Sequence, residues 1–146
     1  MSSARAARLE TLAVFRKADE AYKPYSCPAS GECCQLQKTN REPWLYPSEW
    51  QVLRDAVDAL PETRADGGCP FLDAEGKRCT VYASRPFGCR TFFCERIRGP
   101  KRQPAAEVDA LIRRLDSLNR EAFEDADPKP LREWIRGERD SASRQP

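Results

Sequence analysis

Seven cysteines and not one histidine constrain this chain more than anything else in its 146 residues. Without an imidazole there is no His base, no His metal ligand and no Ser/His or Cys/His pair, which removes most hydrolytic chemistries. An odd number of thiols cannot pair completely, and a reducing compartment keeps thiols from forming a stable disulfide framework. Such a compartment is the expectation here. No stretch approaches the roughly 18 apolar residues of a membrane helix. The first twenty residues mix charges through the apolar positions instead of building a signal-peptide core, so a cytoplasmic location without a membrane partner is expected. Metal binding is then the leading use for so many thiols.

The cysteines are confined to one part of the chain. Leu9, Leu12, Phe15, Ala18 and Tyr22 recur at near-helical spacing and predict an amphipathic helix over 4–22, ended by Pro24. A second helix is expected after Pro47, with Ser48 and Gln51 as a capping box and Trp50, Leu53, Val57 and Leu60 as its stripe up to Pro61. Val108, Leu111, Ile112, Leu115, Leu118 and Ala122 predict a third, opened by Pro104. Asp127 and Pro128 read as the start of a last helix carrying Leu131, Trp134 and Ile135 and closed by Gly137, with 104–136 as the C-terminal helical part. All seven cysteines fall between these, in irregular segments and in CPFLDAEGKRCTVY, which reads as a β-hairpin with its turn near Glu75 and Phe71 across from Cys79. Cys69 would lie one pleat further along, near Cys79. Cysteines used as small core residues would be scattered onto helix faces; gathered into loops, they are placed as ligands usually are.

The expected fold is therefore mainly α with a small β-hairpin: an irregular, metal-stabilised cysteine-cluster domain packed on amphipathic helices. It would span 1–138, with the cysteine-bearing segment at 25–95 and a frayed, Ser- and charge-rich tail at 139–146.

In order the thiols are Cys27, Cys33 and Cys34 as an adjacent pair, Cys69, Cys79, Cys89 and Cys94. There is no CxxC, which argues against a thioredoxin-type redox pair and an ordinary zinc ribbon. The order CC, CPFLD with a short acidic turn, then CTVYASRPFGCR resembles the YkgJ-type cysteine-cluster family of zinc- or iron-chelating domains, patterned CxxCxxxxCC. The resemblance covers roughly residues 25–95 and rests on Cys33, Cys34, Cys69, Cys79, Arg85, Pro86, Cys89 and Arg90. The chain departs from the pattern where its opening cysteine falls near Pro24. The spacing from Cys27 to Cys33 is also one residue longer, and Cys94 is additional, a candidate substitute for the first ligand. The resemblance implies a metal ion as partner and zinc as cofactor, with iron or an iron–sulfur cluster as the alternative. Seven thiolates match two zinc ions sharing one bridging sulfur; one zinc with four thiolates and three spare thiols is simpler.

From Lys77 to Arg102 eight basic residues face the single acid Glu95, a local charge of +7. Guanidinium groups beside anionic thiolate centres stabilise them, and Arg85 and Arg90, which flank Cys89, are the candidates for that supporting role. The same stretch with Phe87, Phe92 and Phe93 gives a competing reading, a basic module for an acidic protein partner. Nucleic acid is disfavoured, since the overall charge is only +2 and no organised motif accompanies the basic residues. No phosphate loop, cofactor glycine motif or paired acid and base is present, so no catalytic residue is assigned. A redox or group-transfer enzyme, related to protein methylation and built on an iron–sulfur centre, stays as an alternative through the family resemblance.

Overall fold

The chain is described by a computed structural model over residues 3–23, 36, 42–91 and 105–143. In chain order it forms α1 (Ser3–Ala21), β1 (Trp44–Leu45), α2 (Pro47–Asp55), a 3-10 turn (Tyr82–Ser84), α3 (Phe87–Arg90), α4 (Ala105–Ala122), β2 (Lys129–Pro130) and α5 (Leu131–Ser143). The fold class is the expected one, mainly α with a small β-hairpin. No helix among the described residues is long and apolar enough to cross a membrane. Pro24 and Pro104, expected to end one helix and open another, lie outside the described residues.

α1 turns Ala7, Thr11, Val14, Phe15 and Ala18 inward. Leu9, expected in that stripe, is 52% exposed, because at about 100° per residue it sits roughly 200° around the helix from both Ala7 and Thr11. α4 answers with Leu115 and Leu118, while Ile112 is 41% exposed. These faces meet Val52 of α2 and Phe87 of α3 in one apolar cluster. At its centre is a polar triad. Thr11 donates to Ser48 Oγ at 2.6 Å, and the Ser48 N–H donates to Asn119 Oδ1 at 2.9 Å. The Asn119 amide in turn donates to Ser48 Oγ and to the Leu115 carbonyl. All three residues are fully buried, and these hydrogen bonds pin α1, α2 and α4 together.

α2 is the element both halves share. Its other face, Trp50 and Leu53, joins a second cluster with Leu45, Cys69, Phe71, Leu72, Val81, Leu131 and Ile135. Ser48 and Gln51 do not form the expected capping box. The cap lies two residues earlier, at Tyr46, with Pro47 at the first position and Glu49 accepting the Tyr46 N–H at 2.9 Å, so Ser48 is released to the buried triad. It also stops at Asp55, leaving Val57 and Leu60 beyond its end but still packed on the second cluster.

The regular strand pairing is long-range: Trp44 faces Pro130 and Leu45 faces Lys129, antiparallel. This pairing delivers α5, which Glu42 caps from a distance by accepting the Arg132 N–H at 2.9 Å. Asp127 and Pro128 therefore do not begin the helix. Gly137 does not end it either, since α5 continues to Ser143 and Arg139 donates to the Pro61 carbonyl. Trp134 stacks on Trp50 with ring centroids 6.0 Å apart and donates to the Leu45 carbonyl at 2.8 Å.

Candidate metal centre

The approach to Cys69 is built by a clamp that composition alone does not reveal. Arg64 pairs with Asp66 through two nitrogens, at 3.0 and 2.9 Å, and donates to the Leu72 and Asp73 carbonyls at 3.3 and 2.6 Å. Asp66 also accepts the Gly68 N–H at 2.9 Å. The guanidinium beside it, followed by that N–H, holds the Asp66 carboxyl at about 2. Arg64 thereby ties the residues before Cys69 to those after it, and its charge also acts on the Cys69 thiol. The signal that marks this place is the turn-forming Asp66, Gly67 and Gly68, with Gly67 at a φ of 77°.

The expected hairpin closes one residue out of the expected register. Leu72, not Phe71, faces Cys79 in a single antiparallel bridge, flanked by Asp73 N–H to Arg78 O and Thr80 N–H to Phe71 O, each at 2.8 Å. The turn centre falls between Glu75 and Gly76. Asp73 sets it by accepting the Gly76 N–H on its carbonyl and the Lys77 N–H on its carboxylate, both at 2.9 Å, and Gly76 takes the left-handed φ of 73° that the turn requires. Cys69 precedes the bridge in a separate turn, its carbonyl accepting the Leu72 N–H at 3.0 Å. Cys69 does not lie one pleat along a strand from Cys79. Each of the two cysteines packs on the second apolar cluster instead, Cys69 buried and Cys79 half-buried.

Cys89 is not on a loop. Pro86 caps the one-turn helix α3, and Cys89 is its third residue, half-buried. Arg90 is buried and spends its guanidinium on Asp19 at 2.7 Å, the Arg85 carbonyl at 2.8 Å and the Ala83 carbonyl at 2.6 Å, over the Phe15 ring at 4.3 Å. It locks this segment to α1, and its charge also acts on the Cys89 thiol. Arg85 stacks on Tyr82 at 3.8 Å and reaches the Cys89 carbonyl at 3.4 Å. Of the other basic residues in the described part of the stretch, Lys77 and Arg78 are exposed.

A cavity of about 300 Å³ opens beside Cys89, walled by Tyr46, Glu49, Phe87, Gly88 and Leu115, with the exposed Trp44 near its mouth. Glu49, unremarked in the sequence, is almost fully buried here. Burial pushes its carboxyl up to about 7, against the Tyr46 and Phe87 N–H groups and Arg90, which favour the charged form.

Cys27, Cys33, Cys34 and Cys94 lie outside the described residues. Among the described residues no three Cys, Asp or Glu side chains gather into a metal-sized group. What is present suits a soft, anionic centre: thiols from three separate turns, two of them within reach of guanidinium charge. No curated protein and no solved structure matches the chain significantly. A family model does match, over residues 25–110, a stretch that contains all seven cysteines. The chain belongs to the CxxCxxCC family, described as a "putative zinc- or iron-chelating domain".

Proposed function

We propose that the chain binds zinc through a thiolate cluster drawn from Cys27, Cys33, Cys34, Cys69, Cys79, Cys89 and Cys94, and that the metal organises the segment carrying them. The observation that carries this reading is the family match over the whole cysteine-bearing stretch. The surroundings of Cys69, Cys79 and Cys89 support it, since their turns are short and depend on a few side-chain clamps. A cytoplasmic setting, where thiols stay reduced, suits such a site. One domain over 1–138 would hold the centre, with the metal structural or available for sensing or transfer. Iron is the second reading, favoured by the family description, which names either metal.

Elemental and sulfide analysis of freshly purified, anaerobically handled protein tests the proposal. Colourless protein with about stoichiometric zinc and no sulfide is the expected result. Brown protein with sulfide replaces zinc with an iron–sulfur cluster, and folded protein free of metal overturns both.

A further inference from the structure

Cys89 sits on a helix too short to persist unaided, because a single turn fixes several backbone dihedrals for very few hydrogen bonds. Its position must come from anchors. Arg90 supplies those at the C-terminal end, through Asp19 and two carbonyls. At the N-terminal end Pro86 is the cap residue and has no side-chain acceptor to offer, and the Phe87 N–H finds its partner in another helix, at Glu49 Oε1, 2.7 Å away. The other oxygen, Oε2, accepts the Tyr46 N–H at 2.9 Å, and the Tyr46 hydroxyl is itself tied to Asp116 of α4 at 2.8 Å. One buried carboxyl group thus joins the start of α2 to the start of α3, with each of its oxygens committed. Glu49 and Cys89 also wall the same cavity of about 300 Å³. Close packing does not immobilise α3 on that side, so the hydrogen bond does more of the positioning than it would in a filled core.

We propose that Glu49 is a positioning residue for the metal centre, holding α3 so that the Cys89 thiolate points at the metal. This rests on the reading that Cys89 is a ligand. Replacing Glu49 by Gln keeps the size but leaves one acceptor where two N–H groups converge, so the amide –NH2 meets a donor and one of the two bonds is lost.

The test loads full-length protein with Co2+ and reads both affinity and the thiolate-to-cobalt charge-transfer bands in wild type, Glu49→Gln, Cys89→Ser and Val14→Ala. Val14→Ala weakens the first cluster and controls for simple loss of stability. Glu49→Gln should lower Co2+ affinity about tenfold or more, the range seen when a residue supporting a ligand is removed, and should alter the bands, with Val14→Ala leaving both at wild-type values. Wild-type bands and affinity in Glu49→Gln beside a clear loss in Cys89→Ser would overturn the proposal while leaving Cys89 a ligand. An unaltered Cys89→Ser would overturn the ligand assignment and the proposal with it. Should Glu49→Gln fail to fold, Glu49→Asp keeps both acceptors on an arm one methylene shorter: changed bands support the proposal and wild-type bands overturn it.

Discussion

In the cluster between α1 and α4, long helices carry their own backbone hydrogen bonds and meet over Val14, Phe15, Leu115 and Leu118. Between residues 64 and 91 the chain has only a single bridge, a 3-10 turn and a four-residue helix. It is held there by Arg64, Arg90 and Glu49, each reaching across to a carbonyl or N–H elsewhere. Yet Cys69, Phe71, Leu72 and Val81 are as buried as the helical faces. Burial is therefore similar in the two regions while local propensity is not. The second region needs cross-links that the first does not, and a shared metal is the strongest cross-link available to a cysteine-rich segment.

Stripping the metal is the most forceful way to test that contrast. Apparent binding free energies of structural zinc are about 10–16 kcal/mol, as large as the whole stability of a small domain. Chelation under reducing conditions should abolish amide-exchange protection around Leu72, Cys79 and Cys89 while α1 and α4 keep part of theirs. Uniform protection and an unchanged melting temperature after verified metal loss would erase the distinction between the regions.

The converse perturbation strikes the helical side. Leu118→Ala removes a fully buried side chain and should cost about 2–5 kcal/mol, lowering the melting temperature without changing metal stoichiometry. A drop in bound metal per folded molecule would show that the two regions are one cooperative unit.

This asymmetry also explains what could be read from the sequence. Helices α1, α2, α4 and α5 follow from 3.6-residue apolar spacing, and their errors are of phase and of bounds: Leu9 and Ile112 are apolar but lie off the buried face, and α2 and α5 start and stop elsewhere than their expected caps. Spacing of apolar residues also has no means of reporting Thr11, Ser48 and Asn119, whose burial depends on one another as partners. In the cysteine region a four-residue helix has no period to detect. The hairpin register turned on which residue of the acidic turn takes the left-handed conformation, and that is Gly76. The cysteines were legible as ligand candidates from their residue type and grouping; the groups that position them, Arg64 and Glu49, become visible only when distant segments meet.

Glu49 joins the two regions and gives the contrast a pH dependence. Burial raises its carboxyl from 4.5 to about 7, so the folded chain holds this proton more tightly than the unfolded chain does. The resulting stabilisation is full below the unfolded value of 4.5 and is lost as pH rises through about 7. Glu49→Gln cannot titrate. The stability of wild type relative to this variant should therefore grow as pH falls from roughly 8 to roughly 5, by at most about 3 kcal/mol, since each pKa unit corresponds to about 1.4 kcal/mol. Both proteins are compared at saturating metal, where thiolate titration is common to them and cancels in the difference. A flat difference across that range would show that Glu49 does not change its protonation there.

The smallest effect is the most local. Gly76 has a φ of 73°, and a Cβ built on it would stand 3.3 Å from Arg64 Nη2. Gly76→Ala therefore places a side chain in a conformation that costs a non-glycine residue roughly 1–2 kcal/mol, and it presses on the guanidinium that holds the Leu72 and Asp73 carbonyls. Part of that cost is offset because alanine has less freedom than glycine in the unfolded chain. If the cysteine region is stabilised by cross-links rather than by its own backbone preferences, the strain should stay in the turn. Exchange should then speed up at Asp73, Gly68 and Thr80, with α1 and α4 unaffected and the metal retained. Faster exchange spreading into α1 would mean that the two regions share their stability through α2, whose Val52 and Leu53 belong to opposite clusters.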